Sequence, residues 1–475
     1  MQTKRRLLRF GAMALLTLLL LSGCGGKQAP GGEETTLWIL TEQTDATGMN
    51  GQAEAAIQAF EADHPGVKVN LEILESEEQA RAAHLEQLRT QIMAGGGPDG
   101  YLLPTGTLLW QDPVFPDVAQ AMHAGLFADL SAYYDADTEL HTEALQQTVM
   151  EAGVVDGARY VLPLRYEVPV VYLDAEQLAA SGLDREKMAS GLYGFWEEVL
   201  GSGQPSWERT AYLEGVSWQL LPPIFDYEQE TVCLSRQTLR TFLERKQQTA
   251  AILGLSGAGS VGLAQYWGGD IFFSETFPGK VEDLSVGFSL AAIAKSRPQP
   301  IEMFALPDVE GKVAARITYF AAAGAGSRHL ELVYEFLRSF LTEEAQWEQN
   351  QRTSGLDFPT IPHEGWPVRH SGAARVLWEK CRAFYEPVEQ RKRLMGHNNT
   401  KHKRLLKVEL TDADIPVLAE PIDRVIFPNE ELNGIFSNHL AELNDWEAGN
   451  AATDVDLDQV AEDILAELEQ YLAEG

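Results

Sequence analysis

The sequence predicts an α/β protein organised as two lobes. Between residues 37 and 103 it alternates strand, helix, strand, helix and strand, which is typical of an α/β layer with a parallel sheet. The chain has 475 residues, too many for one compact core and a suitable length for two domains. Apolar stripes at helical spacing recur at residues 330–341 and 460–471, and both predict core faces.

The amino terminus carries the pattern of a secretory signal. Four basic residues between positions 4 and 9 precede the apolar run 10–21, and Leu21-Ser22-Gly23 comes directly before Cys24. The run is shorter than the roughly 20 residues that a membrane-spanning helix needs, so residues 1–23 are predicted to be a cleaved signal peptide. The segment resembles a bacterial lipobox, which implies lipidation of Cys24 and a tether over 24–36. The alternative is an ordinary secreted protein with an incidental cysteine at the cut.

The net charge makes some classes of binding partner unfavourable, and the cysteine content bears on whether the protein forms a disulfide. The net charge of −33 makes nucleic acid and anionic membrane surfaces poor partners for this chain. Besides Cys24 there are two cysteines, Cys233 in a strand-like segment and Cys381 in the helix-like segment 376–385. We expect two separate, buried thiols, and a disulfide between them is the alternative.

The elements of the first layer follow from local patterns. A buried apolar strand comes first, a helix then stops at His64-Pro65-Gly66, an alternating strand follows, and a long polar helix is broken by Gly95-Gly96-Gly97-Pro98 before a third strand. The predicted elements are strands at 37–40, 67–74 and 101–103 and helices at 53–60 and 77–93. Further on, Pro163 and Pro169 interrupt the apolar run 160–173, which predicts an edge, a bend or a crossing between layers.

Motifs for cofactors and metals are present only in incomplete form. Gly257–Gly262 matches G-x-G-x-x-G, but it lies mid-chain rather than opening a first βαβ unit, so we interpret it as a flexible loop. Asp454, Asp456 and Asp458 resemble the start of a calcium loop but lack its Gly and its final Glu, and they are predicted to cap the last helix. We therefore expect no cofactor and no metal.

Five segments together resemble a known family, the extracellular solute-binding proteins of ABC importers, family 1, the maltose-binding-like group. Each segment is short, and their order, spacing and the lipobox carry the likeness over nearly the whole mature chain. The segments are AAIQAFEADHPGVKVNLEIL (55–74), QIMAGGGPDGYLL (91–103), GLFADLSAY (125–133), VVDGARYVLPLRYEVPVVY (155–172) and SRHLELVYEFLRSFLTEEAQ (327–346).

This resemblance implies a two-lobed, type II periplasmic-binding-protein-like fold, in which each lobe is a sheet flanked by helices, with a hinge and an interlobe cleft. The implied lobes are 37–165 with 304–352 and 166–303 with 353–475, and the implied crossings lie near 165–168, 301–308 and 351–358. The implied function is that of a lipid-anchored substrate-binding protein on the extracytoplasmic face of the cell membrane. It would capture a small solute, a sugar or oligosaccharide in the first place, and deliver it to ABC permease subunits without catalysis.

Candidate ligand contacts follow from where such a cleft presents polar and aromatic groups. Glu42, Gln43 and Thr105 follow predicted strands, and open α/β sheets bind ligands at the carboxyl ends of their strands. Tyr166 and Glu167 lie at the presumed first crossing, and Trp218, Trp267 and Phe288 are the aromatic candidates. For each polar residue the alternative is a solvated turn, and for each aromatic residue it is core packing.

The sequence also allows two other functions. The first is a surface enzyme acting on polysaccharide through a pair of carboxylates, because the 70 acidic residues supply many candidate pairs. The second is a lipoprotein that binds a protein or a cell-wall polymer through the basic segment 391–407. That segment would otherwise be a solvated surface.

Overall fold

The computed structural model describes residues 34–42, 49–75, 77–106, 112–211, 218–255, 279–283, 301–346, 365–369, 376–381, 405–410, 417, 420–445, 450–451 and 455–474. Within these residues the chain forms a mixed α/β structure. The strands are β1 Thr35–Glu42, β2 Val67–Leu74, β3 Gly100–Pro104, β4 Val154–Val155, β5 Ala158–Arg159, β6 Val161–Glu167, β7 Pro169–Asp174, β8 Phe225–Asp226, β9 Thr231–Val232, β10 Gly279–Asp283, β11 Ile301–Ala305, β12 Ala314–Ala323, β13 Trp366–Pro367, β14 Val376–Cys381, β15 Leu405–Leu410, β16 Arg424–Ile426, β17 Asn444–Asp445 and β18 Asn450–Ala451.

Helices flank these strands, and several begin at a side-chain cap. Glu77, for example, accepts hydrogen bonds from the backbone of Gln79 and Ala80 and so satisfies two otherwise unpaired N–H groups. The helices are α1 Met49–Asp63, α2 Glu78–Met93, α3 Val118–His123, α4 Ser131–Ala136, α5 Gln147–Glu151, α6 Ala175–Ser181, α7 Arg185–Met188, α8 Leu192–Gly201, α9 Pro205–Glu208, α10 Arg236–Leu255, α11 Leu330–Arg338, α12 Glu430–Ala441 and α13 Leu457–Glu474.

A seven-stranded sheet forms the centre of the first lobe. Its order is β13-β6-β12-β3-β1-β2, with β16 paired to β12 as well. β1 pairs in parallel with β2 and β3, which confirms the parallel layer predicted from the amino-terminal pattern. β12 runs antiparallel between β3 and β6, so the complete sheet is mixed. A core that includes Leu37, Leu102 and Phe336 lies around this sheet.

A second, three-stranded sheet of order β10-β7-β11 lies outside the first. β7 is its central strand and pairs antiparallel with β10 and β11. A separate core contains Leu173 from β7, Phe195 and Trp196 from α8, and the apolar face of α13. The described residues therefore form two hydrophobic cores, and β7 contributes to both, because Val170 and Tyr172 lie in the first core and Leu173 lies in the second.

The chain passes between the two sheets at Val168. β6 ends at Glu167 in the first sheet, and β7 begins at Pro169 in the second. Pro169 interrupts the apolar run here because the chain changes sheet, which confirms a crossing between layers, one of the roles predicted for the prolines of this run. The chain passes back to the first sheet between β11 and β12. It passes to the second core again after β16, since Leu432 of α12 lies in that core.

Part of the stretch assigned from the sequence to the second lobe lies at the first sheet. Trp366–Pro367 pair with β6, and Arg424–Ile426 pair with β12. The predicted third crossing at 351–358 falls outside the described residues, whereas the described passage after β16 lies at 427–429. The predicted lobe boundaries themselves stay a prediction.

Both cysteine predictions need correction where the structure describes them. Cys233 is exposed rather than buried, because it follows the short edge strand β9. Cys381 ends β14, a strand that pairs with β15, and is not in a helix. The final helix agrees with its prediction: Asp456 accepts from the backbone of Asp458 and Gln459 at 3.1 and 3.3 Å and so caps it.

Candidate functional site

Four of the predicted contact residues lie along one edge of the seven-stranded sheet. Glu42 ends β1, Thr105 directly follows β3, and Tyr166 and Glu167 end β6. Because parallel strands present their carboxyl ends at the same edge, the fold brings these residues from three distant segments to that edge. All four are buried, with exposed fractions between 2% and 8%.

Glu42 is held by a buried arginine of α2. Arg81 Nη2 lies 2.9 Å from Glu42 Oε1, and the same guanidinium donates to the carbonyl of Asp112 at 2.7 and 3.0 Å. Burial raises the pKa of the Glu42 carboxyl, and Arg81 opposes that shift. Arg81 therefore holds the Glu42 carboxylate close to Asp112, which lies in the segment that follows β3.

Thr105 is tied to β12 by both its backbone and its side chain. Its N–H donates to Thr318 O at 3.0 Å, and its hydroxyl donates to Ile317 O. The next residue, Gly106, has a φ of +70°, a conformation that favours glycine. The end of β3 is therefore rigid, and the chain turns sharply after it.

The end of β6 carries an ion pair between the buried Glu167 and the partly exposed Arg316. Arg316 Nε lies 2.9 Å from Glu167 Oε2, and the two residues face each other across β12 and β6. Tyr166 is paired with Trp366 of β13, and Gly365 packs against the Tyr166 carbonyl so closely that a Cβ there would lie 2.8 Å from it. Residues 365–367 therefore cover the end of β6, and the Glu167 charge is balanced inside the protein.

The second lobe meets this edge through the first turn of α12. A Cβ on Gly106 would lie 2.6 Å from Glu430 Oε1 and 3.3 Å from Pro428. Trp218, the described aromatic candidate, is 7% exposed and donates from its indole nitrogen to Asn433 Oδ1. Asn433 in turn donates to Glu430 Oε2 at 3.1 Å. A hydrogen-bonded chain thus leads from Trp218 to the carboxylate that abuts the end of β3.

A pocket of about 290 Å³ opens between the two cores beside Trp218. The first lobe contributes Met122 and Val155, and the second contributes Trp218, Leu221 and Leu432. The lining is mostly apolar, with Arg424 and Asn429 among its polar groups. Such a mixture suits a ligand with apolar faces and a few hydrogen-bonding groups.

The second and third passages of the chain between the lobes, which follow β11 and β16, are joined to each other near this pocket. Asp308 follows β11 and is fully buried, and Arg424 of β16 lies 2.9 Å from its Oδ2. Arg424 also donates to the carbonyls of Gln219 and Leu221 in the second lobe. Asp423 accepts from Val313 N at 2.8 Å. These bonds hold the second and third passages together as one unit.

Sequence reasoning missed the partners that organise this edge. Arg81, Arg316 and Arg424 carry no local pattern that distinguishes them from surface arginines. Asn429 does carry a signal, because Asn followed by two glutamates at the start of an apolar-periodic segment is typical of a helix N-cap. The remaining predicted residues, Cys24, Gln43, Trp267 and Phe288, lie outside the described residues.

Neither a metal-binding cluster nor a membrane-spanning helix occurs among the described residues. No group of three or more His, Cys, Asp or Glu side chains is arranged to hold a metal ion in the part of the chain that the structure describes. Over the same residues, no helix combines the length and the apolar character needed to cross a bilayer.

Several solved structures share this fold over nearly their whole length. An extracellular solute-binding protein family 1 member from Alicyclobacillus acidocaldarius has a TM-score of 0.51 at 14% identity. A periplasmic oligogalacturonide-binding protein from Yersinia enterocolitica has 0.54 at 13%, and an ABC substrate-binding protein from Listeria monocytogenes in complex with cycloalternan has 0.50 at 13%. Each comparison covers 93% of this chain and 99% of the other.

Comparison with curated protein sequences gave no significant match. The sequence model of one family, however, matches residues 46–347, which is more than half of the chain. The matched region runs from the start of α1, past the sheet edge with Thr105, Tyr166 and Glu167, to the end of the described segment after α11. The fold resembles that of the type II periplasmic binding proteins, as the resemblance in the sequence implied. The chain belongs to the bacterial extracellular solute-binding protein family.

Proposed function

We propose that this protein captures a sugar or oligosaccharide between its lobes and delivers it to the permease subunits of an ABC importer. The observation that carries the proposal is the meeting of two separately cored lobes at a polar sheet edge, with Gly106 of one lobe against Glu430 of the other. A ligand bound there contacts both lobes at once. It therefore favours one arrangement of the lobes by its differential affinity for that arrangement.

Support for the carbohydrate class comes from related structures and from the site chemistry. The Listeria relative is a complex with cycloalternan, and the Yersinia relative is named for oligogalacturonide. Carboxylates and hydroxyls at a strand end, with an indole nearby, are the groups that bind the hydroxyls and apolar faces of sugars. A carboxylate offers about four acceptor sites, so an ion pair with arginine leaves room for a ligand hydroxyl.

The proposed contacts stay those drawn from the sequence: Glu42, Gln43, Thr105, Tyr166, Glu167, Trp218, Trp267 and Phe288. The internal bonds of Glu42, Thr105 and Glu167 fix these groups before ligand binds. Preorganisation of this kind lowers the entropic cost of binding.

The family binds solutes rather than transforming them, and we propose the same for this chain. The rival is a surface enzyme that cleaves polysaccharide with two carboxylates. Incubating the protein with chromogenic glycosides and with polysaccharide distinguishes the two. Turnover that is lost in a single Glu→Gln or Asp→Asn variant would establish the enzyme instead.

A thermal-shift screen tests the ligand class. Neutral mono- and oligosaccharides, oligogalacturonides, amino acids and polyamines are offered separately, because a ligand at 100 times its Kd stabilises the folded state by about 2.7 kcal/mol. We expect the melting temperature to rise with a carbohydrate, and calorimetry then gives the affinity. Glu167→Gln should weaken that binding, whereas Glu469→Gln on the exposed face of α13 should leave it unchanged. A response only to amino acids or polyamines would refute the carbohydrate class, and no response to any solute would refute the binding function.

We also propose that the mature protein is anchored by a lipid on Cys24 at the extracytoplasmic face of the membrane. Growth of the producing cells with a clickable palmitate analogue should label the wild-type protein in the membrane fraction. Cys24→Ser should abolish the label and release the protein. Labelling that survives the substitution, or a soluble unlabelled wild type, would favour the ordinary secreted alternative.

A further inference from the structure

A buried carboxylate joins the two lobes beside the third passage of the chain. Asp117 caps α3 of the first lobe, with Oδ1 accepting from Gln120 N at 2.9 Å. Asn429 caps α12 in the second lobe, with Oδ1 accepting from Leu432 N at 3.1 Å. The two caps face each other: Asn429 Nδ2 donates to Asp117 Oδ2 at 2.7 Å, and the two backbones form a β-bridge.

Two tyrosines of the second lobe reach the same carboxylate oxygen. The hydroxyl of Tyr227, from the turn between β8 and β9, donates to Asp117 Oδ2. Tyr471 of α13 donates to it at 3.1 Å, and its hydroxyl also accepts from Asn429 Nδ2 at 3.2 Å. Burial and the Asp117 charge raise the pKa of both tyrosines, so they stay protonated donors. One oxygen atom of the first lobe thus binds three segments of the second.

The surroundings of this cluster are buried and aromatic. Asp117 is 5% exposed and Asn429 is 2% exposed. The ring of Tyr227 stacks on His123 of α3, with ring centres 5.5 Å apart, and Tyr471 stacks on Phe225 at the same distance. A buried carboxylate that lost these donors would keep its desolvation cost without compensation. Breaking the hydrogen bonds of this cluster therefore carries a large cost in free energy.

The position of the cluster limits how the lobes move. Asn429 is only three residues beyond β16, which pairs with the first sheet. All three donors lie within hydrogen-bond distance of one atom. A rotation of about 15° moves a donor about 3 Å from the axis by less than about 1 Å, but moves one about 15 Å away by about 4 Å. Only an axis close to Asp117 keeps every bond within hydrogen-bonding range.

We propose that the cluster of Asp117, Tyr227, Asn429 and Tyr471 is the pivot about which the two lobes rotate. The carboxylate stays bonded as the cleft opens and closes, and it confines the rotation axis to the neighbourhood of residues 427–429. The inference goes beyond the proposed function, because it concerns the motion of the lobes whatever ligand they bind.

Distances between spin labels on the two lobes test the pivot without a ligand. Cys233 provides an exposed site on the second lobe, and Gln87→Cys on the exposed face of α2 provides one on the first. Cys24 and Cys381 are replaced by Ser in an otherwise full chain. Pulsed dipolar spectroscopy then compares the width of the distance distribution in the parent with that in Asp117→Asn and in Tyr227→Phe/Tyr471→Phe. The double tyrosine variant leaves the Asp117 cap intact in case Asp117→Asn does not fold.

Asp137→Asn is the matched control. Asp137 also bonds backbone N–H groups and a tyrosine, Tyr334, at 2.9 Å, but both residues belong to the first lobe. We expect a broader distribution in the pivot variants and an unchanged one in Asp137→Asn. An unchanged width in the double tyrosine variant would overturn the pivot. Equal broadening in Asp137→Asn would overturn it as well, because it would reveal general loosening. A failure of ligand binding in the solute screen would leave this result unaffected.

Discussion

Arg424 and Asp308 form an ion pair that connects the second and third passages of the chain between the lobes. The Asp308 side chain is fully buried, that of Arg424 is 16% exposed, and Nη2 lies 2.9 Å from Oδ2. Asp308 also binds the backbone, because its Oδ1 accepts hydrogen bonds from Glu310 N and Lys312 N at 2.8 and 2.9 Å. The turn before β12 and the strand β16 therefore depend on the same carboxylate.

Removing the charge of Arg424 should destabilise the protein strongly. Arg424→Met leaves Asp308 buried without its cationic partner, a change that typically costs about 3–5 kcal/mol. We expect a correspondingly lower urea midpoint. Arg236→Met is the control, because its partner Glu462 and Arg236 itself are about half exposed, and its loss should be far smaller. Equal losses in the two variants would show that the buried pair is not a structural link.

The close approach of Gly106 to Glu430 predicts a measurable steric effect. Gly106 and Gly125 have φ angles of +70° and +69°, but a Cβ on Gly125 would meet open space. Gly125→Ala should therefore cost only the backbone strain of about 1–2 kcal/mol. Gly106→Ala should cost about 1–3 kcal/mol more, as overpacking does. Adding Glu430→Ala should remove much of that difference in chemical unfolding, and no relief would contradict the contact.

His84 should make stability depend on pH. Hydrogen bonding to Glu75 raises the pKa of His84 above 6.5, and the same bond lowers the pKa of Glu75 below 4.5. The His84 contribution is complete below its unfolded pKa and is lost as pH rises through the raised folded value. The Glu75 contribution is present above its unfolded pKa and is lost as pH falls through the lowered one. The interaction between His84 and Glu75 therefore stabilises the folded state most between about pH 4.5 and 6.5.

His84→Gln should lose stability near pH 5.5 and much less near pH 8.5, as measured by urea unfolding at both values. His84 also lies 2.7 Å from Glu72, so Glu72→Gln should reduce the effect without abolishing it. His141→Gln, whose ring is exposed, controls for the loss of an imidazole. An equal loss for His84→Gln at both pH values would contradict the linkage.

Cys233 should react with thiol reagents in the native protein. Its side chain is exposed beside β9, so access does not require unfolding. We expect rapid incorporation of one maleimide at Cys233, identified by peptide mass, and its loss in Cys233→Ser. Modification of Cys233 only after denaturant is added would contradict the described exposure.

The first lobe could be predicted from sequence as far as local patterns decide structure. The strands at β1, β2 and β3 and the helices between them agree with prediction because each has a strong period, a cap or a glycine stop. Cys381 shows where that reasoning ends. The apolar spacing of residues 376–385 also fits a helix, but pairing of β14 with β15 decides in favour of a strand.

The site was only partly predictable for a similar reason. Strand ends marked Glu42 and Thr105, because the carboxyl edge of a sheet is a property of topology, and the presumed first crossing marked Tyr166 and Glu167. Their partners come from remote segments: Arg316 is 149 positions from Glu167, and Ile317 is 212 positions from Thr105. No single-sequence pattern encodes such pairs, since each arginine has an ordinary local setting.

The place of β12 inside the first sheet has a consequence for biosynthesis. This strand, at residues 314–323, separates β3 from β6. On the ribosome, the four strands of that sheet that precede it, β1, β2, β3 and β6, emerge before the strand that joins its two halves. Until then β3 and β6 each present an unpaired edge, which is a template for association with other chains. Translation products that stop short of Ala314 should therefore aggregate, whereas those that extend past Ala323 gain the strand that closes the gap.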